Sequence, residues 1–112
     1  MIDRAHSFGS YFKRATSPIV VLSLLREKEM YGYELSSEMK RRSGGRYSIT
    51  VLYPVLYRLE ELGYITTTRS EIVDGRTRSY YQITAAGRHY LVQTLAEYCE
   101  LSEIFEQLTE PR

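Results

Sequence analysis

The chain has 112 residues, 43% of them apolar and 26% charged, which is one core's worth of ordinary globular composition and excludes a disordered chain or a second full core. Its 15 basic and 14 acidic residues leave a net charge of +1, excluding a histone-like polybasic chain, but residues 97–112 hold one Arg against five Glu and the remainder carries +5. A lone cysteine, Cys99, rules out a disulfide-stapled secreted scaffold; with no apolar run near the roughly 20 residues that span a bilayer and no signal-peptide pattern in Met1–His6, a soluble cytoplasmic protein without a membrane partner is expected.

Residues 4–14, with Phe8, Tyr11 and Phe12 on one side, are expected to form a first helix. Thr16-Ser17-Pro18 sets capping hydroxyls ahead of a proline at a first helical position. A helix is then expected to about Lys28, burying Ile19, Leu22 and Leu25. Glu29-Met30-Tyr31-Gly32 is expected to turn the chain. The next helix, Tyr33 to Arg42, places Leu35 and Met39 four apart and stops at Ser43-Gly44-Gly45. A third begins near Ser48 or Thr50, and its Leu52, Val55, Leu56, Leu59 and Leu62 form a helical stripe. Pro54 falls in or just beyond its first turn, where a missing amide costs little.

The period then changes. Tyr64–Arg69 and Tyr80–Thr84 are β-branched and aromatic, and Asp74-Gly75 between them signals a tight hairpin turn. A two-residue loop there sets Thr68 opposite Tyr81 and Thr66 opposite Ile83. From Ala85 the helical period returns: Leu91, Leu95, Tyr98, Leu101, Phe105 and Leu108 recur by threes and fours, in a helix that can exceed 20 residues, about 30 Å.

A helix trio followed by a two-stranded ribbon is a winged helix-turn-helix. The expected fold is mainly α with a small β hairpin, with residues 1–84 as the winged domain and 85–112 as a long C-terminal helix. That helix carries more apolar surface than the small core can cover, so a partner helix is expected, with Phe8, Phe12, Leu91, Leu95, Tyr98, Leu101, Phe105 and Leu108 forming a dimer seam. Glu97, Glu100, Glu103, Glu106 and Glu110 make its solvated face.

The helix around Tyr53 leaves Thr50, Tyr53, Pro54, Tyr57 and Arg58 outward. Hydroxyls, rings and a guanidinium near a helix start suit a DNA major groove, where Arg meets guanine edges and apolar carbons meet thymine methyls. Lys40 and Arg41, with Arg42 and Arg46, can clamp flanking phosphates. Arg76 and Arg78 near the hairpin tip, with Arg69 on the incoming strand, can follow the phosphate backbone. A solvated basic face explains each feature singly; helix and wing together favour DNA.

Tyr31-Gly32-Tyr33-Glu34-Leu35, Leu52-Tyr53-Pro54-Val55-Leu56-Tyr57-Arg58-Leu59-Glu60-Glu61-Leu62-Gly63, and Gly75-Arg76 with Tyr80-Tyr81-Gln82-Ile83-Thr84-Ala85-Ala86-Gly87-Arg88 resemble the PadR family of bacterial transcriptional regulators over about residues 17–95. The resemblance implies a winged-helix domain with a C-terminal dimerisation helix, acting mostly as a repressor at a palindromic double-stranded DNA operator. It places Tyr53, Pro54, Tyr57 and Arg58 on the recognition helix and Arg76 and Arg78 on the wing. Members often carry Gly-Thr or Gly-Ser before the Leu-Tyr pair, where this chain has Thr50-Val51. Only 25 residues follow Gly87, as in the short form of the family. Some short members bind flat aromatic molecules on a Trp that this chain lacks, so any small hydrophobic or aromatic effector would lie among Phe8, Tyr11, Phe12, Tyr98 and Phe105.

His6, His89 and Cys99 lack metal-ligand spacing, so no metal or other cofactor is expected. Cys99 is expected to be a small buried hydrophobe rather than a redox switch. No phosphate-binding loop or activated nucleophile is present, which argues against an enzyme. The rival reading is a winged-helix adaptor that binds proteins and not DNA.

Overall fold

A computed structural model describes residues 7–48 and 52–111. Among these, four helices and a three-stranded antiparallel sheet form the expected winged helix-turn-helix: α1 (Phe8–Glu27), β1 (Met30–Tyr31), α2 (Gly32–Arg42), α3 (Leu52–Glu61), β2 (Ile65–Val73), β3 (Arg76–Ile83) and α4 (Ala85–Thr109). The sheet order is β1-β3-β2. The core gathers Leu22 and Leu25 of α1, Met30, Leu35, Leu56, Ile65, Ile83 and Leu91, one or two side chains from every element.

The two expected N-terminal helices are one. α1 runs unbroken through Pro18, whose missing amide and ring cost an interior helical turn about 3 kcal/mol. The hydroxyls expected to cap at Thr16 and Ser17 instead donate backward, to the carbonyls of Phe12 and Lys13. Thr16 also accepts the Tyr47 hydroxyl at 2.6 Å, which ties this half of α1 to the turn after α2. Beyond Pro18 the helix buries Val21, Leu22, Leu24 and Leu25, burial that offsets the proline. Ile19 is only partly buried.

The expected turn at Glu29–Gly32 contains β1, whose Met30 and Tyr31 pair with Tyr81 and Tyr80. Leu62, expected on the buried stripe of α3, is exposed, because the helix has already ended at Glu61. Pro54 lies in the first turn of α3, as its chemistry requires. Ser48 is not helical, and a start at Thr50 lies outside the described residues.

The hairpin turns at Asp74-Gly75, both at positive φ (52° and 76°), as a two-residue loop demands. Its register follows the expected pairing from Val73↔Arg76 back to Arg69↔Tyr80 and then slips, so Thr67 pairs with Tyr81 and Ile65 with Ile83. Thr68 is an extra, bulged residue, and the expected Thr68–Tyr81 and Thr66–Ile83 pairs do not form. Ile65 and Arg69 share parity in a regular strand and would project from the same face. The bulge sends Ile65 into the core and Arg69 to the outer face.

α4 is seated by an unusually close approach. A β-carbon at Gly87 would overlap the Tyr64 carbonyl oxygen. Thr84 caps the helix by accepting from the Gly87 amide at 3.0 Å and donates its own hydroxyl to the Gly63 carbonyl at 2.6 Å, while its amide bonds the Tyr64 carbonyl at 3.0 Å. The rings of Tyr64 and Tyr90 stack 4.4 Å apart. After Leu91, which is 1% exposed, α4 leaves the domain. The molecule therefore extends 60 × 37 × 23 Å with a radius of gyration of 16.1 Å, against about 13 Å for a compact chain of this length.

Two outcomes follow from these contacts. Exchanging Gly for Ala inside a helix normally gains about 1 kcal/mol. Gly87→Ala should instead lose about 2 kcal/mol or more, because the overlapping neighbour is backbone; urea denaturation reads the sign. At the other end of the domain, Arg42 donates to Glu27 at 2.8 and 2.9 Å and to Glu38 at 3.1 Å, linking α1 to α2. Glu27 is held below its ordinary value of 4.5 chiefly by Arg42, and Glu38 chiefly by Arg41 with Arg42 adding. A depressed carboxylate stabilises above its unfolded value and loses that contribution as pH falls through the folded one. Arg42→Gln should thus be less stable than the parent at pH 7, with the gap narrowing in thermal melts toward pH 3.

Candidate nucleic-acid interface

The N-terminal end of α2, the outer side of α3 and the hairpin enclose an open groove of about 780 Å³. Its walls bear Tyr31, Tyr33, Tyr53, Tyr57, Tyr81, Arg76 and Arg78. Such a surface presents hydroxyls, flat rings and guanidinium groups, with Asp74 its one carboxylate among the described residues. It matches the base edges, methyl groups and phosphates of a duplex groove.

The register of α3 creates the floor. Leu52, Leu56 and Leu59 face the core, which turns Tyr53 and Tyr57 outward with their rings 6.4 Å apart. Tyr57 is 60% exposed, and Tyr33 across the groove is 69% exposed. The hydroxyl end of Tyr53 rests against Gly32, where a β-carbon would come within 2.6 Å of its hydroxyl oxygen. The glycine of the Tyr31-Gly32-Tyr33 run is thus the bed of a groove tyrosine. Beneath them Tyr81 is buried, and burial pushes its phenol above the ordinary range, so it stays a neutral hydroxyl. Glu60 of α3 accepts from Thr67 of β2 at 2.8 Å and joins helix to wing.

Of the expected DNA-contacting residues, the fold brings Tyr53, Tyr57, Arg76 and Arg78 into one groove. Pro54 and Arg58 are exposed on α3 beside it, and Arg58 bridges Glu61 at 3.2 Å with both partners largely in solvent. So exposed a pair holds weakly and can be exchanged. Lys40 and Arg41 sit at the far end of α2 and do not line the groove, and Arg41 is bound to Glu38 at 2.6 Å. Thr50 lies outside the described residues. Tyr31, Tyr33 and Tyr81 join the groove from outside the expected recognition helix and wing tip; their signals in the sequence are the Tyr31-Gly32-Tyr33 and Tyr80-Tyr81 runs and the excess of Tyr, 11 residues against 3 Phe and no Trp.

The three wing arginines differ. Arg76 has no ion-pair partner among the described residues and is exposed. Arg69 donates to Glu29 and Glu71, each at 3.2 Å, and its pKa is raised chiefly by Glu29. Arg78 lies over the Tyr31 ring at 4.1 Å, with its pKa raised chiefly by the Tyr80 oxygen.

The expected association surface is only partly free. Leu91 belongs to the domain core and has no area left for a partner, so it is removed from that set. Leu95, Tyr98, Leu101, Phe105 and Leu108 are exposed along α4, as are Phe8 and Phe12 on α1 with rings 5.9 Å apart. Val92 and Ile104 add to the exposed apolar surface of α4. Cys99 is exposed rather than buried, because α4 has left the core by that point. Among the described residues no helix is long and apolar enough to cross a membrane, and no cluster of His, Cys, Asp and Glu could hold a metal ion.

Residues 21–93 match the Transcriptional regulator PadR-like family. The Transcriptional regulator Rv3488 of Mycobacterium tuberculosis is 38% identical over 82 residues, covering 73% of this chain and 75% of that protein. A transcriptional regulator from Clostridium thermocellum superposes with a TM-score of 0.81 at 31% identity, over 90% of this chain and 100% of that one. A PadR family transcriptional regulator from Eggerthella lenta does so with a TM-score of 0.79 at 28% identity, over 91% and 88% of the two chains.

Proposed function

The chain belongs to the PadR-like family of transcriptional regulators, and from that membership we propose that it represses a nearby gene by binding a two-fold symmetric operator as a homodimer. Members of the family are DNA-binding regulators rather than enzymes. The observation that carries the finer reading is the groove, with exposed Tyr53 and Tyr57 on α3 facing unpaired Arg76 on the wing.

In this reading α3 lies in the major groove, led by Tyr53 and Pro54, with Tyr57 and Arg58 reaching bases and adjacent phosphates and Thr50, outside the described residues, proposed as a further contact. Arg76 meets the backbone at the wing tip, and Arg78 shapes the groove wall from its seat on Tyr31. Lys40 and Arg41, at the other end of α2, would contact only phosphates flanking the groove, with Arg41 exchanging Glu38 for them. The two subunits pair through the exposed apolar face of α4, from Leu95 to Leu108, helped by Phe8 and Phe12. Residues 1–84 act as the reading unit and 85–112 as the pairing unit, except that the first turns of α4 serve the reading unit's core. Pairing sets two recognition helices about 34 Å apart, one turn of DNA. A small hydrophobic or aromatic ligand held between paired α4 helices would release the operator by favouring a different crossing angle, provided it binds that state better. Such a regulator works in the cytoplasm, where the promoter is.

The direct test is binding of the purified protein to the promoter region of its own gene at two salt concentrations, with unrelated DNA as competitor. Selective binding that weakens steeply with salt is expected. No binding even at low salt would point instead to a protein-binding adaptor. Tyr57→Ala with Arg58→Ala should abolish selective binding in gel-shift assays while sedimentation still finds the dimer. Leu101→Glu with Phe105→Glu should convert the dimer to monomers in the same sedimentation experiment, and an unchanged dimer would move the seam elsewhere.

A further inference from the structure

The outer face of the wing carries an alternating ladder of cations and rings. Arg69 lies 3.7 Å over the Tyr80 ring, Tyr80 meets Tyr31 edge-on at 5.2 Å, and Arg78 lies 4.1 Å over the Tyr31 ring. One carboxylate joins its parts. Glu71 accepts from the Tyr80 hydroxyl at 2.8 Å and from Arg69 at 3.2 Å, and lies 3.9 Å from Arg78. Glu29, across the sheet, takes the other side of Arg69 at 3.2 Å. Two of the wing's three arginines are thus turned onto rings and matched by two carboxylates, and Asp74 at the tip offsets Arg76. The hairpin's own net charge is therefore only +1, and Glu29 beside it brings the cluster to zero.

Resting on the operator-binding reading, we propose that Glu71 is a specificity-determining residue: it withholds Arg69 and Arg78 from the phosphates of arbitrary DNA, so that the protein does not bind DNA by charge alone. Phosphate contacts carry no sequence information and dominate non-specific affinity. A wing with three free arginines would raise binding to any duplex and narrow the gap between operator and competitor. Three strands supply the ladder, so the restraint belongs to the folded wing and not to a flexible tip. Glu71 meets the buried Tyr80 through that ring's hydroxyl, a bond that a neutral acceptor can keep, so its replacement should spare the fold. Glutamine there still accepts the Tyr80 hydroxyl but no longer holds a cation.

The test compares the parent, Glu71→Gln, Arg69→Gln and the double variant on an unrelated duplex and on the protein's own promoter duplex, by fluorescence anisotropy across a salt series. Glu71→Gln should bind the unrelated duplex up to about tenfold more tightly at low salt, with a salt slope steeper by about 2 per dimer for Arg78, rising toward about 4 as far as Arg69 also leaves Glu29. Arg69→Gln should leave non-specific affinity unchanged, since its cation is already withheld. The double variant should show a smaller gain than Glu71→Gln alone. Parent-like slope and affinity for Glu71→Gln, or weaker non-specific binding by Arg69→Gln, would overturn the inference while leaving operator binding intact. If neither the parent nor Glu71→Gln binds either duplex at low salt, the operator-binding reading fails and takes this inference with it.

Discussion

The placement of everything after Ile83 rests on how closely the first turn of α4 can approach the Tyr64 carbonyl. Only glycine at position 87 permits that approach. Thr84 reinforces it from both sides, taking the Gly87 amide and giving its proton to the carbonyl of Gly63, where α3 has just ended. The stacked Tyr64 and Tyr90 rings fix the rotation of α4 about this point. The end of the groove-forming helix and the start of the projecting helix are therefore one joint, held by several directional contacts. A displacement of α4 would thus be passed to α3 as a rigid-body movement.

The second constraint is one of parity. The hairpin must bury Ile65 and expose Arg69, and a strand of period two cannot do both. Thr68 resolves the conflict by standing outside the ladder, its hydroxyl bonded to Glu29 at 2.9 Å. The same bulge aligns Arg69 and Glu71 with Tyr80 and Arg78 on one face. Core packing below the bulge and charge arrangement above it are thus consequences of a single inserted residue. The wing that results has a net charge of only +1 with two of its arginines paired, and the exposed tyrosines of α2 and α3 are the groove's main aromatic resource.

Much of this was legible from spacing. Leu52, Leu56 and Leu59 announce a helix and the face it buries, and that alone turns Tyr53 and Tyr57 outward. Asp74-Gly75 announces the hairpin because few other pairs accept two successive positive φ angles. The long threes-and-fours pattern after Ala85 announces a helix with more apolar surface than one small core can use. Other features left no local trace. Pro18 looked like a helix start, since nothing near it shows that Tyr47 and the buried residues beyond would hold the turn together. Leu91 and Leu95 follow the same period, yet one is core and the other open.

What the sequence determined by itself was the inventory of elements and the direction each one faces, because periodicity and turn chemistry are properties of neighbours a few residues apart. The tertiary structure alone decided which outward faces meet. It brought Tyr31 and Tyr33 of the α2 start and Tyr81 of β3 to the groove with Tyr53 and Tyr57, and left Lys40 and Arg41 at the other end of α2. It also paired Arg69 and Arg78 with Glu71 and left Arg76 without an ion-pair partner among the described residues, although the three look alike in a linear reading. Such choices depend on distances between residues far apart in the chain. Those distances are set by the bulge at Thr68 and the close contact at Gly87.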